Sequence, residues 1–197
     1  MGWFKRFKIK SLQKQIKVIA TSRMNNTSTT EGLRKEISLY FELAKQYESV
    51  ERKKKYPFAR LQALACYRAA AALDDAVAQF LVGQRSLEEA KVRHELQNSG
   101  VFSSESNEAF LKLLYQDVHA FLLSAEKRQH IKAKRIRGLC YINGWGVPVD
   151  KNMGFDLVVE SIEQENSWDR VQKIFAELGI NNSSFFSELF QHRASRK

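Results

Sequence analysis

Residues that interrupt helices are scarce in this chain and unevenly placed. Nine glycines and two prolines occur in 197 residues, and Gly138, Gly144, Gly146 and Pro148 all fall within RGLCYINGWGVPVDKN, residues 137–152. A chain with so few breakers and few β-branched runs is directed towards helix. The cluster must then be a loop that cradles a ligand or a turn that reverses the chain between helices. A phosphate-holding loop needs G-x-x-x-x-G-K-[ST] between a strand and a helix, and the spacing here is different. A turn accounts for each residue. After a helix over 131–143, Gly144 and Gly146 can take positive φ without the roughly 1–2 kcal/mol that a side chain adds. Val147 can plug the turn into the core, Pro148 stops helical continuation, and Asp150 can cap the next helix, worth about 1 kcal/mol.

Helical periodicity runs through the rest of the sequence. Ile9, Leu12, Ile16 and Ile19 share one face of a first helix, with Lys10, Lys14 and Lys17 opposite and Trp3, Phe4 and Phe7 on another face. The polar run TSRMNNTSTT (21–30) is expected to be a linker. A stripe of Leu33, Ile37, Tyr40, Phe41, Ala44 and Tyr47 marks the next helix, which leads into the basic run Arg52–Lys55 and Pro57. Further helices are expected at 59–73, 76–97, 107–127, 131–143, 151–164, 167–178 and 183–192. The organisation expected is a basic amphipathic segment and linker at 1–30, a helical domain at 31–192, and a basic tail at 193–197.

The formal net charge is +10, and its placement matters more than its size. Residues 1–30 carry Lys5, Arg6, Lys8, Lys10, Lys14, Lys17 and Arg23 with no acid, and the tail adds Arg193, Arg196 and Lys197. Between them bases and acids are equal in number, which argues against a nucleic-acid stripe on the body. The first twenty residues lack an apolar run long enough for a spanning helix or an ordinary signal peptide. Trp3, Phe4, Lys5, Arg6, Lys8 and Lys10 are therefore candidates for contact with an anionic membrane surface or acidic partner. Docking of the isoleucine face on the helical body, or a targeting role for residues 1–30, are the alternatives. Cys66 and Cys140 stand in apolar helical stretches with no ligand neighbour and read as buried free thiols, compatible with a reducing, cytoplasmic setting, and the basic N-terminus suggests a place there at the inner face of a membrane.

The chain contains an internal repeat. ACYRAAAALDDAVAQFLVG (65–83) aligns without gaps to AFLLSAEKRQHIKAKRIRG (120–138), with Ala65/Ala120, Ala70/Ala125, Ala78/Ala133 and Gly83/Gly138 identical. Small residues at these places let two helices approach closely. The second copy continues: Ala133, Gly138, Tyr141, Gly144, Gly146, Val147 and Asp150 follow the spacing A-x4-G-x2-Y-x2-G-x-GV-x2-D. This pattern resembles the Sel-one-like repeat, a relative of the tetratricopeptide repeat, with the best copy at about 120–163. The first copy has Ser86 at the tyrosine position and no G-x-GV turn, and the third, from Gly154, has Gly154 and Ser161 where alanines are usual. The resemblance implies an all-α fold: a short right-handed α-solenoid of antiparallel helix pairs, with an additional N-terminal helix.

It also implies a non-enzymatic scaffold or adaptor that binds a protein or peptide on a concave face. Lys132, Arg135 and Tyr141 from the best repeat, and Gln79 from the equivalent helix of the first copy, are the candidate contacts. Tyr141 is alternatively a core residue, and Trp145, between the turn glycines, is the expected exposed aromatic. His94, His119, His130 and His192 lack metal-ligand spacing, and His130 is expected to be a solvated turn residue. With no G-x-S-x-G elbow and no paired-carboxylate pattern, no catalytic, cofactor or metal site is expected. A nucleic-acid-binding helical protein that uses its basic termini is the other functional class.

Overall fold

A computed structural model describes residues 3–27, 29–51, 58–101 and 104–196. The basic run Arg52–Lys55, with Pro57, and the terminal Lys197 lie outside the described residues. Among those described, all regular structure is helical and no strand occurs: α1 (Trp3–Met24), α2 (Thr30–Glu51), α3 (Ala59–Ala72), α4 (Ala76–Asn98), α5 (Glu105–Lys127), α6 (Ile131–Asn143), α7 (Lys151–Gln164), α8 (Val171–Ala176) and α9 (Ser183–Ser195). The all-α expectation holds. No helix among them is long and apolar enough to cross a membrane. The chain divides into two compact units, Met1–Arg85 and Ser86–Lys197.

In the first unit, α1 lies along α2 and α2 along α3. Ile9, Leu12 and Ile16 are buried, whereas Ile19 is only partly so. Lys5 Nζ donates to Ser49 Oγ at 2.7 Å, Gln13 Nε2 to Tyr47 OH at 3.1 Å, and Lys8 pairs with Glu42 at 2.7 Å. Arg23 grips the fully buried Glu36 through Nε at 2.9 Å. A buried carboxylate needs such a partner, because an unpaired charge away from water is costly. The expected linker is shorter than its composition suggests. Thr21 and Ser22 continue α1 by donating their hydroxyls to Lys17 O and Val18 O, and Thr29 Oγ1 accepts from Gly32 N–H to cap α2. Hydroxyls that bond locally are tolerated at helix ends for this reason. α3 packs through fully buried Ala59, Ala63 and Ala70, while Tyr67 reaches across to donate to Glu48 at 3.0 Å.

In the second unit, α5 packs on α6, α6 on α7, and α7 on α9. Val118, Leu122, Ala133, Cys140, Val158, Val159, Ile162 and Phe175 have no more than a trace of exposure. An aromatic cluster closes the C-terminal end, with Phe175 and Phe185 ring centres 4.9 Å apart and Phe155 and Phe185 5.7 Å apart. The helix expected over 167–178 is broken. A 3₁₀ turn, Trp168–Arg170, precedes the short α8, and Asn166 in the left-handed region ends α7.

The internal repeat is written in hydrogen bonds as well as letters. At the end of α3, Leu73 N–H donates to Ala70 O, Asp74 N–H to Ala71 O and Asp75 N–H to Ala70 O. At the end of α5, Arg128 donates to Ala125 O, Gln129 to Glu126 O and His130 to Ala125 O, the same three bonds one repeat later. Asp74 and Gln129 both take positive φ, 73° and 64°. The next helix is then capped at the equivalent residue: Asp75 Oδ1 accepts from Ala78 N–H at 2.7 Å, and His130 Nδ1 from Ala133 N–H at 3.3 Å. His130 is thus a helix cap and not a free imidazole. Helix ends of this form satisfy carbonyls that the helix itself leaves orphaned. Ala70, Ala78, Ala125 and Ala133 are fully buried, and Ala65 and Ala120 are both exposed.

Candidate functional site

The turn after α6 has the local geometry its sequence demands. Gly144 and Gly146 have φ of 68° and 71°, Trp145 N–H returns to Cys140 O at 3.0 Å, and Asp150 Oδ1 caps α7 by accepting from Met153 N–H at 2.9 Å. Val147 is half-buried, so it closes the turn without being a core residue. Gly138 is fixed by packing: a Cβ there would stand 2.6 Å from Gly154 O and 2.8 Å from Val158 Cγ2. Gly154 is fixed for the reciprocal reason, since a Cβ there would stand 2.8 Å from Gly138 O.

Around this turn the second unit gathers a half-buried cluster. The ammonium of Lys91 sits 3.4 Å above the Trp145 ring, a cation–π contact. His119 Nε2 hydrogen-bonds with the Trp145 carbonyl at 3.0 Å, and its ring lies 6.5 Å from that of Tyr141. Tyr115 lies under Gly146. Burial lowers the affinity of His119 for a proton, and the nearby Arg137 adds to that, against the raising effect of the carbonyl bond. Burial likewise lowers the pKa of Lys91. These groups hold the turn together more than they offer chemistry. The burial of Cys140 pushes its thiol up to about 12, so it is no nucleophile at neutral pH.

The sequence-derived contact residues separate into three groups. Lys132 is exposed, as required of a ligand contact. Tyr141 and Trp145 are brought together through His119 and are each half-buried, so Trp145 is not the freely exposed aromatic expected. Arg135 and Gln79 are corrections. Arg135 is 4 % exposed, donates Nε to Ser161 Oγ at 3.2 Å and forms a close ion pair with Glu165. That bond gives the fully buried Ser161 hydroxyl a charged partner. Gln79, in the first unit, is 3 % exposed, and its Nε2 donates to Ala71 O at 3.4 Å and to Asp74 Oδ1 at 3.3 Å. Arg135 is held by partners 26 and 30 residues away, whereas Gln79 bridges the adjacent turn through Nε2 alone, its buried Oε1 having no partner among the described residues; helical spacing carries no sign of either.

Sequence reasoning missed a groove at the α5–α6 turn. It encloses about 510 Å³ and is lined among others by Leu123, Lys127, His130, Ile131 and Lys134. Lys134 Nζ is paired with Glu160 at 3.1 Å and Glu126 with Arg137, which leaves the exposed Lys127 as the lining lysine with no ion pair among the described residues; the exposed Lys132, at the start of α6, stands outside the lining. The EKRQHIK run was the available signal. Among the described residues no group of three or more His, Cys, Asp or Glu is placed to hold a metal ion. No protein-family model matches the chain. No curated protein matches it either.

Proposed function

We propose that the chain is a non-enzymatic protein–protein interaction scaffold built from Sel-one-like repeats, its helix pairs stacked as a short right-handed α-solenoid. The observation that carries this reading is the repeated turn: the same three backbone bonds, the same left-handed residue and the same capping position recur at Asp74–Asp75 and at Gln129–His130. A repeat that also conserves its buried alanines is a stacking unit, and stacked units present extended surfaces to other chains. The ligand is a peptide segment that carries an acidic side chain beside an apolar one. Lys127 and Lys132 meet the acid, and Leu123 and Ile131, at 38 % and partial exposure, supply the apolar contact.

Panning a displayed peptide library on the full chain tests this. Enriched peptides should be acidic and apolar, and should lose most of their affinity to the double variant Lys127→Glu, Lys132→Glu. Trp145→Ala should weaken them only indirectly, through the turn. Enrichment that ignores the two lysines, or none at all, overturns the reading.

A further inference from the structure

The outward face of α1 combines exposed aromatic rings with exposed basic side chains. Burial of Ile9, Leu12 and Ile16 against α2 turns the opposite side of the helix to water. On that side Trp3, Phe4 and Phe7 are 72 %, 81 % and 65 % exposed, and Val18 is 61 % exposed. Among the described residues Trp3 makes ring contacts with Phe4 and Phe7, with centres 5.1 Å and 6.0 Å apart. Solitary exposed apolar residues need no explanation, but a contiguous aromatic patch on a soluble unit does. Arg6, Lys10, Lys14 and Lys17 surround and follow the patch, all exposed, and none makes an ion pair among the described residues. The other three cations of the segment are committed, Lys5 to Ser49, Lys8 to Glu42 and Arg23 to Glu36. Lys14 also shares with Lys35 of α2 a groove of about 250 Å³ floored by Val18 and Ile19. No acid interrupts residues 1–30.

We infer that this face of α1 is a peripheral attachment site for an anionic lipid bilayer, with Trp3, Phe4 and Phe7 entering the headgroup layer and Arg6, Lys10, Lys14 and Lys17 meeting lipid phosphates. The helix docks on the body and attaches the body with opposite faces, so the two roles do not compete for the isoleucines. Aromatic rings settle at the boundary between headgroups and acyl chains, and basic residues near an anionic surface add electrostatic attraction that salt diminishes. Trp3 stands edge-on to Phe4 and stacked on Phe7, a cluster at the helix end that suits a headgroup layer; a single-stranded nucleic acid, which would use the cations and stack bases on the rings, is the competing ligand that the test includes. The inference does not depend on the scaffold reading, which concerns the second unit.

The full chain is titrated with vesicles of phosphatidylcholine alone and of phosphatidylcholine mixed with phosphatidylglycerol, at low and high salt. Binding should require the anionic lipid and fall with salt. Lys10→Gln, Lys14→Gln and Lys17→Gln together should weaken it about 100-fold at low salt. Trp3→Ala, Phe4→Ala and Phe7→Ala together should weaken it at least about tenfold. Neither set should move the thermal midpoint, since every residue changed points outward. The emission of Trp3, taken as the difference between the wild type and Trp3→Phe, should shift to the blue on binding. Equal binding to neutral vesicles, no binding to either, or capture of an RNA oligonucleotide by these lysines without vesicle binding overturns the inference. Peptide binding measured on the same variants should be unchanged, which keeps the two readings separable.

Discussion

Gly138 and Gly154 are the point at which α6 and α7 touch backbone to backbone. A Cβ on Gly138 would lie 2.6 Å from the Gly154 carbonyl oxygen, and one on Gly154 2.8 Å from that of Gly138. Backbone atoms in two packed helices cannot step aside singly, so the whole interface would have to open.

Gly138→Ala and Gly154→Ala should each destabilise the second unit by about 1–3 kcal/mol, after the helix preference of alanine has returned part of the loss. The double variant should cost less than the sum, because the same gap is opened once. Urea midpoints of the four proteins measure this, and additivity would show that the two sites do not share one contact.

Gly146→Ala meets two obstacles: a φ of 71°, and Tyr115, whose Cγ would be 2.6 Å from the new methyl. Gly179 provides the control, with a φ of 76° and nothing within 4 Å of its Cβ. Gly179→Ala should cost about 1 kcal/mol, the strain alone, and Gly146→Ala about 1–3 kcal/mol more. Combining Gly146→Ala with Tyr115→Gly should leave the strain and remove the collision. Equal costs at the two glycines would mean that Tyr115 yields freely.

His119 gives the second unit an acid limb. Its folded pKa is depressed, first by burial and then by Arg137, below the ordinary value of about 6.5. The unfolded chain therefore binds the proton more readily, and stability is present above about pH 6.5 and lost as pH falls through the lower folded value. The melting temperature should decline on acidification across that range. His119→Gln, which can keep a hydrogen bond to Trp145 O, should flatten the decline. An unchanged acid limb in the variant would move the effect to another group.

Both thiols should be silent in the folded protein. Cys66 is 7 % exposed and Cys140 has no exposure, and burial pushes their thiols up to about 11 and about 12. Modification by a thiol reagent at neutral pH should wait for unfolding and proceed at its rate. Rapid labelling of Cys140 under native conditions would contradict the packing of α6 on α7.

Much of the fold was legible because its causes are local. Scarce breakers set the all-α class, and the positive φ of Gly144 and Gly146 and the cap by Asp150 are decided within a few residues, so the spacing alone located them. Two of the three repeated alanine pairs, Ala70/Ala125 and Ala78/Ala133, marked buried positions because only a small residue fits a close approach, whereas Ala65 and Ala120 face solvent in both copies. The site was less legible. Arg135 reads as a surface cation until Ser161 and Glu165, 26 and 30 residues on, are brought to it. Gln79 is hidden by the turn it satisfies, and His130 becomes a cap because the chain leaves α5 at the angle that Gln129 sets. In α1 both the isoleucine and the aromatic faces were visible, but which of them would meet the body was not. The tertiary structure decided it by offering α2 to the isoleucines, with Lys5, Lys8 and Arg23 placed to fasten that side. Backbone preference acts over one turn of helix and is carried by neighbouring letters. The environment of a polar or amphipathic side chain depends on which distant segment arrives beside it, and only the packed chain supplies that.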